Sequence, residues 1–127
     1  MMVQVKVSLG ELVDKLSILE IKAQKITDPE KLSHVQKERE ALQSTLNELA
    51  LEGIEAFQKE LFEVNSELWD IEDRIREKER NSAFDAEFIE IARAVYVTND
   101  KRFAVKDRCN RHYGSSLQEV KSYEKYD

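Results

Sequence analysis

Three glycines and one proline are all that this 127-residue chain offers for sharp turns. Glycine supplies positive-φ positions and proline a fixed φ, the two resources on which tight turns depend. A sandwich or barrel needing a turn every ten residues or so is therefore excluded, and long helices with few connections remain. Charged residues make up 36% of the chain against a usual ~25%, which suits helices with wide solvated faces. Apolar runs of a few residues fall far short of the ~18 that span a membrane, and the first ten residues have no signal-type apolar region. The single cysteine, Cys109, leaves no internal disulfide or thiolate cluster, so a reducing cytoplasm is the expected compartment. For a mass of 14.9 kDa the folded surface should be roughly 7,000 Å², and one domain over 1–127 is expected.

The apolar periodicity resolves this domain into helices. Ser8 with Glu11 forms a capping box, and Val7 and Leu12 are placed to staple it. Leu9, Leu12, Leu16, Leu19, Ala23 and Ile26 then recur every three or four residues. Asp28-Pro29 starts a second helix, with Leu32, Val35, Arg39, Leu42, Leu46 and Leu49 as its seam up to Gly53. Ile54, Phe57, Leu61, Val64, Leu68, Ile71 and Ile75 hold a and d positions over three heptads. Asn81-Ser82 stops that helix, and Ser82 with Asp85 reads as the next capping box. Phe84, Phe88, Ile91 and Val95 share a face of the fourth helix, in which the β-branched stretch around Thr98 predicts a kink. Gly114 ends it, leaving 115–127 as a polar C-terminal tail, while Val3, Val5 and Val7 alternate with Gln4 and Lys6 as in a short N-terminal strand. Short connections favour antiparallel neighbours. The expectation is a mainly all-α, antiparallel up-down helical bundle containing a long coiled-coil-like hairpin.

Catalytic signatures are absent from this frame. Glycines at 10, 53 and 114 cannot build a P-loop, a dinucleotide-binding loop or a nucleophile elbow. His34 and His112 have no helical i, i+4 partner, and Cys109, beside Arg108 and Arg111, has no companion base. Neither a metal site nor a cofactor is expected. Glu60-x-x-Glu63 and Glu67-x-x-Asp70 echo the carboxylate pairs of all-α Mg²⁺-dependent nucleotide hydrolases. Both pairs fall on one helix, off the apolar seam, in a chain with 26 acidic residues, so a solvated flank explains them more simply.

A second stripe is more informative. Phe62, Asn65, Trp69, Glu72 and Arg76 lie beside the third helix's seam, and Arg93, Tyr96, Asn99, Arg102, Phe103 and Lys106 recur on the fourth. Buried polar groups need partners, so the stripes form either a salt-bridge network or the lining of a site for a small anionic ligand. Glu72 is expected to face Arg102 or Lys106, with Arg93 the competing partner. Lys101, Arg102, Lys106, Arg108 and Arg111 stand against a single Asp107 in a chain of net charge −6. Cations late in a helix complement its dipole, and the acidic remainder disfavours nucleic acid.

Residues 10–22 (GELVDKLSILEIK), 65–76 (NSELWDIEDRIR), 91–102 (IARAVYVTNDKR) and Lys121-Ser122-Tyr123 resemble an uncharacterised family of small bacterial and phage helical proteins. The resemblance covers most of the chain and brings no activity, cofactor or catalytic residue. What it implies is emphasis on the polar residues of those segments. Together with the stripes it gives as candidates Glu11, Asp14, Lys15, Asn65, Trp69, Glu72, Arg76, Arg93, Tyr96, Asn99, Arg102 and Lys106. Two functions follow. The first is a non-enzymatic cytoplasmic interaction module, homo-oligomeric or bound to a protein partner through its helical seams, with apolar turns near Ile71 and Ile75 left for that contact. The alternative is a small-ligand protein using the polar stripes, an Mg²⁺-dependent hydrolase being the enzyme class to test.

Overall fold

In a computed structural model, described here for residues 1–117 and 120–127, the chain is all-helical. Its elements are α1 (Leu9–Lys25), α2 (Pro29–Glu48), α3 (Ile54–Arg80) and α4 (Ala86–His112). Helix starts follow local chemistry. The Ser8 side chain accepts from Glu11 N, Asp28 accepts from Lys31 N ahead of Pro29, and Gly53 takes a left-handed φ of 80° before α3.

Two expectations are corrected. The cap of α4 is Asp85, which accepts from Phe88 N, and not Ser82. Ser82 instead has φ 51° and closes α3: its N–H donates to Glu79 O and that of Ala83 to Lys78 O, which occupies carbonyls the helix end leaves open. The β-branched stretch around Thr98 lies inside α4, which is continuous over 27 residues. Val3, Val5 and Val7 do not form a strand. Among the described residues no second strand exists to complete a ladder, and the three valines are exposed.

α1 is the helix against which the other three all pack, and α3 also packs on α4. The hairpin expected between α2 and α3 is replaced by α2 on α1; α2 and α3 meet through side chains, with Gln58 Nε2 donating to Gln43 Oε1 at 3.2 Å. Gly10, Glu11 and Asp14 meet Asn110, Lys106 and Arg102 in reverse order, so α1 and α4 are antiparallel. Glu60–Arg108 and Lys78–Asp85 set α3 against α4 in the same sense.

The apolar core gathers where the start of α1, the end of α2, the start of α3 and the end of α4 converge. Val13, Leu16, Leu46, Ile54, Leu61, Val105 and Cys109 are buried there, with Phe57, Val64 and Tyr113 packed around them. Tyr113 donates its hydroxyl to Glu52 O at 2.6 Å, tying the end of α4 to the loop before α3. The total accessible surface is 9281 Å², well above the roughly 7,000 Å² of a compact chain this size. Long helices and two exposed terminal segments account for the excess.

Candidate functional site

A polar centre lies against the apolar core, assembled from one face each of α1, α3 and α4. On α1, Gly10, Asp14 and Ser17 are buried in a stripe of four- and three-residue steps. On α4, Thr98, Lys106 and Asn110 are buried, and Arg102 shares their i, i+4 spacing. α3 contributes the buried Asn65.

Asp14 is the hub. Its side chain is 1% exposed, and Arg102 grips both oxygens, Nε to Oδ1 at 2.8 Å and Nη2 to Oδ2 at 2.5 Å. Such a bidentate pairing fixes orientation as well as neutralising charge. Asn65 Nδ2 donates to Asp14 Oδ1 at 2.9 Å and to Ser17 Oγ at 2.7 Å, and that hydroxyl donates to Asp14 O at 2.7 Å. One turn away, Lys106 Nζ bonds Glu11 Oε2 at 2.8 Å. Next to it, Gly10 N donates to Asn110 Oδ1 at 2.6 Å.

Gly10 is what lets α1 and α4 come together here. A Cβ at this position would lie 2.7 Å from Lys106 O and 3.0 Å from Asn110 Oδ1, so a methyl group would force the two backbones apart.

The arrangement is chemically closed. Both Asp14 oxygens are engaged by donors, which suits a structural anion better than a general base or a cation ligand. Every buried side-chain nitrogen and oxygen among the described residues has a hydrogen-bond partner, as a stable polar core requires. Cys109, fully buried nearby, has its pKa pushed up to about 11 by desolvation, the reverse of what a reactive thiolate needs.

The centre unites Glu11, Asp14, Asn65, Arg102 and Lys106 of the candidates and leaves the others outside. Lys15 is exposed, 3.9 Å from Glu38. Glu72 is not paired with Arg102 or Lys106 but with Arg76, one turn along α3, at 3.4 Å. The acids that meet Arg102 and Lys106 here, Asp14 and Glu11, come from α1, which lies against that stripe of α4. Arg93 Nε donates to Tyr96 Oη at 3.4 Å, also within its own helix. Trp69 and Asn99 are half-buried. Of the carboxylate pairs, Glu60 binds Arg108 at 2.7 Å, Asp70 lies 4.0 Å from Lys25, and Glu63 and Glu67 are exposed. No cluster of three His, Cys, Asp or Glu side chains suited to a metal occurs among the described residues.

Gly10, Ser17 and Asn110 escaped the sequence reading as members of a site. The signal was present: a small-and-acidic stripe at 10, 14 and 17 and a basic-and-polar stripe at 98, 102, 106 and 110, each at helical spacing and opposite in charge.

The described part of the tail returns along α4. Lys121 pairs with Asp100 and lies 5.6 Å from the Phe103 ring centroid, while Tyr126 stands edge-on to Tyr96 at 5.2 Å.

With this geometry in hand, a family model matches residues 3–126. The chain belongs to DUF6165, a family of unknown function. No curated protein and no solved structure matches it. For this DUF6165 chain the functional reading therefore rests on its own side chains. No described helix is long and apolar enough to cross a membrane.

Proposed function

We propose that this DUF6165 protein, of bacterial or phage origin, is a non-enzymatic cytoplasmic interaction module that self-associates through its helical seams. One contrast carries the reading. The buried charges Asp14 and Lys106 are engaged by Arg102 and Glu11, while some large apolar residues are left exposed. Asp14 is 1% exposed, whereas Phe84 is 59% and Ile89 58% exposed. A surface of 9281 Å² leaves ample area for a partner, and because the seam residues Leu46, Leu61 and Leu68 are already buried within the chain, contacts between copies would fall on the apolar residues left exposed. Ile71 is buried and so drops out of the expected contact surface, while Ile75 remains partly open.

Sedimentation velocity over a wide concentration range tests this. A concentration-dependent shift to a dimer or larger species is expected, and a strict monomer at high concentration overturns the module.

The ligand reading has one observation in its favour. Trp69, Glu72, Arg76, Arg93 and Asn99 are not drawn into the polar centre and keep part of their surface in water. A thermal-shift screen with nucleotides, sugar nucleotides and Mg²⁺ separates the two, because a ligand of the native state raises the midpoint by mass action. Stabilisation abolished by Trp69→Ala and Arg76→Met, with helicity intact, would favour the ligand site.

A further inference from the structure

We infer that a second copy of this chain docks on the free end of the α3–α4 hairpin, in a two-fold arrangement with the α4 start of each copy on the α3 end of the other. This rests on the self-association reading and names its surface.

Three observations converge. The first is reach. The 17-residue α1 runs from Gly10 beside Asn110 to Lys25 beside Asp70, so the last turns of α3 and the first of α4 extend past it.

The second is apolar exposure at that end. Phe84 and Phe88 meet edge-to-face with centroids 5.3 Å apart, and Phe84 and Ile89 remain more than half exposed. Farther along α4, Tyr96 is touched by Tyr126 and the Phe103 ring is approached by Lys121. No comparable contact from the tail is found at Phe84 or Ile89 among the described residues. Clustered aromatic exposure of this kind marks interaction surfaces.

The third is charge, which selects the occupant. The last turns of α3 carry Arg74, Arg76, Lys78 and Arg80 against Glu77 and Glu79, whereas α4 opens with Asp85, Glu87 and Glu90 and no cation. Lys78 already bridges Asp85 and Glu87 within the chain, which shows the pairing this end prefers. An isologous contact places the same patch on both subunits. It brings the basic half of each patch onto the acidic half of the other, with the phenylalanines between.

Paired charge reversals test this by sedimentation, with circular dichroism confirming that helicity is kept. R74E/R80E makes the patch wholly acidic on balance, and E87K/E90K makes it basic. Each variant alone should lose the wild-type dimer through like-charge repulsion, and an equimolar mixture should regain it as a heterodimer. F84E/I89K should stay monomeric alone and in either mixture. A dimer retained by either charge-reversed variant, or a mixture that stays monomeric, overturns this surface while self-association itself stands. A monomeric wild type removes both.

Discussion

Arg102 closes on Asp14 with two near-parallel bonds of 2.8 and 2.5 Å although 88 positions separate them in the chain. The carboxylate is fully buried and the guanidinium side chain 29% exposed. Removing one member of a buried ion pair leaves the other desolvated and uncompensated, at a cost of about 3–5 kcal/mol. With Arg102 partly wet, Asp14→Asn should destabilise by about 3 kcal/mol in urea unfolding. A double-mutant cycle with Arg102→Met should show coupling above about 1 kcal/mol. Strict additivity would mean that the pair contributes no mutual stabilisation.

Gly10→Ala sets two effects against each other. Alanine favours the helix by about 1 kcal/mol, but its methyl would sit 2.7 Å from a backbone oxygen that cannot swing aside. Overpacking of this kind costs about 1–3 kcal/mol, so a net loss of about 1 kcal/mol is expected from the denaturation midpoint. An unchanged or raised midpoint would show that α1 and α4 separate without penalty.

Arg39, the charge within the α2 seam, donates Nη1 to Gln36 Oε1 at 3.4 Å, and among the described residues no bond joins it to a carboxylate. The residue is half-buried, a position from which a long side chain can carry its charged head to water along an aliphatic stem. Arg39→Leu should therefore stabilise, by up to about 1 kcal/mol. Clear destabilisation in the same assay would reveal an ionic role for Arg39.

Cys109 provides a pH test. Burial raises its pKa from 9.0 to about 11, so the folded state resists the thiolate that the unfolded chain forms freely. The stabilisation is complete below the ordinary thiol value and is lost as pH rises from 9.0 to about 11. Unfolding measured across that window should show a decline that Cys109→Ala removes. At neutral pH an alkylating reagent should label the native protein far more slowly than the unfolded one, and rapid native labelling would contradict the buried position.

Much of the fold was legible because helix boundaries are local. Ser8, Asp28, Pro29, Gly53 and Gly114 each sit at or beside a terminus that sequence alone located. Ser82 misled because its spacing to Asp85 imitates a capping box, while the residue was needed in a left-handed turn that glycine more often takes. The candidate site was half legible for a different reason. A 3.6-residue period says which residues share a face, and so Asp14, Asn65 and Arg102 could each be singled out. It does not say which faces meet, and Glu72 was assigned to Arg102 or Lys106 when those two cations meet Asp14 and Glu11 of α1. The same limit hid the role of α1 in covering α2.

The place of α1 at the middle of the assembly also shapes how the molecule must come together. Asp14 finds Asn65 at a separation of 51 residues and Arg102 at 88, so its desolvation is compensated only after two large loops have closed. Loop closure grows costlier with length, by about 0.6 kcal/mol per doubling, and contacts this distant in sequence slow the search for the native state. Helices α3 and α4 meet across a short turn and can form a hairpin early. The α1 segment, carrying an ionised carboxylate into the interior, joins when its counter-charge is already in position, and refolding should therefore be paced by the arrival of α1.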